Sequence, residues 1–125
     1  MLFAIMFCYL FYYTGRHNFG WAIEGVQETF SVTKQDIGWA SAVMLWAYGL
    51  GQFINGNLGD KYGARVMMTL GAVLSVCMNW AASLAPTFFL FVVFWGLNGY
   101  CQSLGWAPAS RLLSNWWSKR ERGKA

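Results

Sequence analysis

The sequence predicts an all-α membrane protein built from four transmembrane helices. Three observations carry this. The 125 residues are 57% hydrophobic and only 11% charged, whereas soluble domains hold about 25% charged residues. Residues 66–110 form a run of 45 residues without a single charge, too long for one span and right for two, since a span takes about 20 residues. The apolar runs also lack the alternation of barrel strands, and in lipid only helices and closed barrels satisfy the backbone.

The spans follow in order. The first covers residues 2–26 and the second 36–59. The long uncharged run then divides at Pro86, because proline ends one helix and can open the next. This gives a third span over 64–84, a fourth over 87–113 and a tail over 114–125. Charge sets the orientation. Lys34 is the one basic residue after the first span, with Glu24, Glu28 and Asp36. Lys61 and Arg65 follow the second span, and Arg111, Lys119, Arg120, Arg122 and Lys124 follow or end the fourth. The positive-inside rule then puts both ends and the 60–65 loop in the cytoplasm, with the cell (inner) membrane as the expected location. Trp21 and Trp39 fall near the outer interface and Trp116 and Trp117 near the inner one, where amphipathic rings are enriched.

Arg16 is the residue that asks for a function. A mid-membrane arginine costs on the order of 3 kcal/mol even on the lenient insertion scale. Its rigid five-donor fork suits phosphate or carboxylate. Helical spacing puts Tyr9, Tyr12, Tyr13, Arg16 and Gly20 on one stripe, while His17 points about 100° away. Tyr48, Gln52, Asn55 and Gly59 share a face of the second span, and Asn98, Gln102 and Gly105 a face of the fourth. Two readings of Arg16 stay open: a substrate ligand, or a structural arginine held by neighbouring polar groups. Gln52 and Gln102 read equally as substrate contacts or as interhelical hydrogen bonds. Gly49, Gly51, Gly56, Gly71, Gly96 and Gly99 suit close helix packing.

Other classes are disfavoured. Cys8, Cys77 and Cys101 are odd in number and lie in apolar runs without a CxxC, so they read as small buried residues. No metal site, cofactor or nucleophile–base pair is expected, nor a nucleic-acid partner, and an enzyme is the least favoured class.

Between the second and third spans the chain reads Gly56-Asn57-Leu58-Gly59-Asp60-Lys61-Tyr62-Gly63-Ala64-Arg65. Gly63 can take positive φ, and Asp60 can accept from amides or a basic side chain. This run resembles the signature loop of the major facilitator superfamily of transporters, with Ala64 departing where a basic residue is common. The resemblance implies a conformational, gating role for Gly56, Asp60, Lys61, Gly63 and Arg65. Tyr12-Tyr13-Thr14-Gly15-Arg16-His17-Asn18-Phe19 is similar to a segment of the organophosphate:phosphate antiporter family. Asn98 to Pro108 and Ser114 to Gly123 resemble its fourth helix and the loop after it.

The implied fold is helices 1–4 of a twelve-helix transporter. The implied function is alternating-access transport of an organic anion such as a sugar or glycerol phosphate, with exchange against phosphate as the family expectation. Tyr12, Tyr13, Arg16, His17 and Gln52 are the expected substrate-binding residues. His17 and Gln52 stand where that family usually has lysines, which favours a less charged anion or a sensing role. The expected partners are the lipid bilayer, a small anionic substrate and the missing remainder of the transporter, so the chain is expected to be a fragment. The alternatives are a complete four-span exporter acting as a homodimer and a transporter-like membrane sensor.

Overall fold

The computed structural model describes residues 2–118, 120, 121 and 123. Lys119, Arg122 and Lys124 of the expected basic tail lie outside them. Four helices follow one another: α1 (Leu2–Phe30), α2 (Lys34–Tyr62), α3 (Ala64–Ser83) and α4 (Phe88–Trp116). The second and fourth outrun their apolar cores at both ends or one, because helix continues into polar residues as long as the backbone can bond to itself.

Local chemistry sets the boundaries. Ser31, at φ 52°, turns the chain out of α1. Thr33 then caps α2: its Oγ1 accepts from the Asp36 N–H at 3.3 Å, and Asp36 Oδ2 accepts from the Thr33 N–H at 2.9 Å. This reciprocal box satisfies two otherwise unbonded donors. Gly63 alone separates α2 from α3. It holds φ 84° and donates to the Gly59 carbonyl at 3.0 Å, a conformation that costs side-chain-bearing residues. Pro86 lies in the break between α3 and α4, and Thr87 Oγ1 accepts from the Leu90 N–H at 3.3 Å to start α4.

α4 is the central element. It packs along α2 on one side and α3 on the other, while α1 lies more lightly against all three. Close approach is built from missing side chains. A Cβ on Gly99 would collide with the backbone carbonyl oxygen of Met44 on α2, and one on Gly71 would lie 2.8 Å from the Cys101 carbonyl oxygen on α4. Gly51 abuts Ser103 and Gly96 abuts Val43, whereas Gly49 has open space around it. The expected small-residue seam therefore includes Gly51, Gly71, Gly96 and Gly99, but not Gly49. Pro108 sits inside α4 with its ring against Gly59 of α2.

One apolar cluster joins all four helices through Phe19, Ile37, Met44, Ala82, Phe91 and Trp95. A smaller one, at Ile5, Met68 and Ala109, closes the other end. Outside these, large apolar side chains face outward: Phe3, Trp21, Phe53, Trp80 and Leu84 are each more than two-thirds exposed. Such a surface is stable in lipid rather than in water. α2, α3 and α4 are each long and apolar enough to cross a membrane. α1 matches them in length, and the polar run Thr14–Asn18 at its middle sets it apart. The cysteines correct one expectation. Only Cys101 is buried; Cys8 is half-buried, Cys77 faces outward, and all three are free thiols.

Candidate functional site

Arg16 lies at mid-length of α1, half-buried, where α1 meets α2 and α4. Its Nε donates to Gln102 Oε1 on α4 at 3.0 Å. Its guanidinium carbon stands 4.3 Å from the centroid of the Tyr48 ring on α2 and 5.7 Å from that of Tyr13. Aromatic faces attract a cation through their quadrupole, more so when both are desolvated. Among the described residues no carboxylate lies against Arg16, and its terminal nitrogens have no hydrogen-bond partner. The charge is thus held by a neutral amide and two rings, with the end of the fork still able to donate.

Gln102 is fully embedded, 2% exposed. Besides accepting from Arg16, its Nε2 donates to the Tyr12 carbonyl at 3.3 Å and to Ser75 Oγ at 3.3 Å. Ser75 donates to Asn98 Oδ1 at 2.6 Å, and Asn79 donates to the same oxygen at 3.2 Å. A continuous polar path thereby runs from Arg16 through α4 into α3. A separate knot joins α2 to α4: Asn55 Nδ2 donates to Ser103 Oγ at 2.7 Å, and the Tyr100 hydroxyl donates to Asn55 Oδ1 at 3.4 Å.

The expected site residues are only partly assembled. Tyr13 is exposed beside Arg16, and the ring of His17 stacks on it at 5.6 Å. His17 itself points outward. Tyr12 departs from its expected role: it is buried, and its hydroxyl donates to the Met68 carbonyl at 2.7 Å. That phenol, one turn before Arg16 on the same stripe, fastens α1 to α3. Gln52 is half-buried one turn beyond Tyr48, and no hydrogen bond ties it to Arg16. Two residues that complete the environment, Tyr48 and Gln102, were visible as members of polar stripes but had no signal of their own for contact with Arg16.

At the α2–α3 end, Asp60 pairs with Arg111 of α4, both half-exposed. Lys61 lies over the Tyr62 ring, 5.4 Å from its centroid. Arg65 is exposed, and Gly56 passes Ala107 at ordinary contact distance. Asp60, expected in a loop, lies in the last turn of α2, and its partner is on α4. An apolar groove of about 770 Å³ runs between α1 and α3, lined in part by Phe11, Val76 and Trp80. Arg16 is not among its lining residues.

Four long helices with an outward apolar surface and interhelical polar contacts define a multi-pass membrane protein. The chain belongs to the Major Facilitator Superfamily, whose family model matches residues 5–125, and its helices correspond to helices 1–4 of that twelve-helix fold. It is 33% identical to a probable hexose phosphate transport protein of Chlamydia muridarum over 98% of the chain and 27% of the relative. It is 34% identical to a glycerol-3-phosphate transporter of Haemophilus influenzae over 96% of the chain and 26% of the relative. It is 28% identical to the membrane sensor protein UhpC of Escherichia coli, over 98% of the chain and 28% of that protein. The chain thus spans about a quarter of the length of these curated relatives. No solved structure matches it. Its transporter relatives are carriers, not enzymes.

Proposed function

We propose that this chain is the N-terminal four-helix part of a secondary transporter for small organic phosphates, and that Arg16 binds the anionic group. The observation that carries the reading is the state of Arg16: a charge embedded at mid-helix that, among the described residues, faces no carboxylate and keeps its terminal donors available. An embedded arginine without a counter-ion is poised for one that arrives with the substrate. The relatives support phosphate esters as the substrate class. Transport is by alternating access, a rocking of two halves about a midplane site, in exchange for inorganic phosphate. Both ends of the chain and the 60–65 turn face the cytoplasm of the inner membrane. The Asp60–Arg111 pair ties α2 to α4 there and biases the carrier toward one access state.

The test is counterflow. The full-length polypeptide containing this chain is reconstituted into vesicles preloaded with phosphate, and labelled glycerol 3-phosphate or glucose 6-phosphate is added outside. Saturable accumulation that depends on internal phosphate supports the exchanger. Binding without accumulation favours a sensor, a reading to which the His17 and Gln52 departures and the resemblance to a membrane sensor lend weight.

A further inference from the structure

We infer that Gln102 is the positioning residue of the anion site, and that it decides which edge of the Arg16 guanidinium meets the substrate. This rests on Arg16 being the anion ligand. A guanidinium can offer two bidentate edges: the side edge, with Nε and one terminal nitrogen, or the end edge, with both terminal nitrogens. Gln102 Oε1 takes the Nε proton at 3.0 Å, so the side edge is spent. The end edge is left for a group with two oxygens on one face, a phosphate or carboxylate met end-on.

Gln102 is suited to hold that orientation. Its amide is anchored on two other helices, to the Tyr12 carbonyl of α1 and to Ser75 of α3. Both amide protons are engaged, so the carbonyl oxygen is left facing Arg16 and the amide has no reason to rotate. The Tyr48 ring, 4.3 Å away, fixes the plane from the α2 side. An arginine, with its long and freely rotating side chain, is thereby reduced to one presentation before the substrate arrives, and pre-ordering of this kind lowers the cost of binding.

Two substitutions separate positioning from mere packing. Gln102→Met keeps the length and removes the acceptor. Gln102→Glu restores a neutral acceptor and donor when protonated, and becomes a fixed counter-ion to Arg16 when ionised. Arg16 on α1 is the titratable group bonded to Gln102; its other partners are the Tyr12 backbone carbonyl of α1 and the Ser75 hydroxyl of α3, and the Tyr48 ring of α2 lies against Arg16.

The measurement is equilibrium binding of glycerol 3-phosphate to the full-length protein in detergent, from pH 5 to pH 8, each variant taken relative to wild type at the same pH. Gln102→Met should weaken binding about tenfold, the scale of losing one hydrogen bond to a charged group. Gln102→Glu should bind more weakly than wild type, since a carboxylate beside Arg16 is favoured in its ionised form and occupies the guanidinium. A wild-type-like affinity for Gln102→Met or for Gln102→Glu would overturn the positioning role while Arg16→Lys still weakens binding. If Arg16→Lys also binds normally, the anion-site reading itself is wrong.

Discussion

Arg16 illustrates how a helix bundle holds a charge with no opposite charge beside it among the described residues. Its environment is a neutral amide oxygen and aromatic faces, which stabilise the cation without cancelling it. Tyr48 should therefore act through its ring. Tyr48→Phe should keep most of the affinity for an organic phosphate, and Tyr48→Leu should lose about 1–2 kcal/mol of binding, roughly tenfold. Isothermal titration of the two variants distinguishes them; equal losses would show that the hydroxyl carries the effect. Periodicity alone brought Arg16, Tyr48 and Gln102 onto inward stripes, so this part of the site was legible in the sequence. Tyr12 was not. It shares the stripe of Arg16, and only the tertiary arrangement commits its hydroxyl to Met68. His17 differs: its ring stacks on that of Tyr13, four residues earlier, a contact that helical spacing alone provides.

Among elements, α4 is the one on which the others depend. Its glycines admit the backbones of α2 and α3 to close range, and close approach with interhelical hydrogen bonds is what holds helices together in lipid. Gly99→Val should drive its side chain into the Met44 carbonyl and destabilise the bundle by about 2–3 kcal/mol. A lowered thermal midpoint in detergent would check this, and Gly49→Ala, with open space around it, should leave the midpoint unchanged. The Asp60–Arg111 pair calls for a different outcome. Half-exposed ion pairs contribute about 0–1 kcal/mol, so Asp60→Asn should barely move the midpoint. Its effect should be on the balance of access states, read by cysteine labelling from either side, and the exchanged pair Asp60→Arg with Arg111→Asp should restore it. If Asp60→Asn leaves labelling unchanged, the pair is not conformational. The breaks between elements were readable, because Thr33, Asp36, Gly63, Pro86 and Thr87 are strong local signals. The helix ends were not, since hydropathy marks the lipid core while α2 runs from Lys34 through Tyr62. The partner of Asp60 was also hidden, because no local rule links a turn to a residue 51 positions further along a different helix.

For the whole molecule, the exposed apolar girdle marks a multi-pass membrane protein, and the uneven distribution of basic residues is what the proposed orientation rests on. Single cysteines at Ser31 and Lys61, in a background lacking Cys8, Cys77 and Cys101, should label from outside and from inside respectively. Labelling of both from one face would contradict the orientation. The fold class follows from composition and run length, but the arrangement of α1 does not: its polar centre is explained only by what it faces. That makes Arg16 the point on which the functional account turns. The most direct test is binding of glycerol 3-phosphate to the full-length protein with arginine or lysine at position 16. The account predicts that Arg16→Lys, which keeps the charge but not the fork, loses at least about tenfold in affinity while the protein stays folded. Undiminished binding by the lysine variant would contradict it.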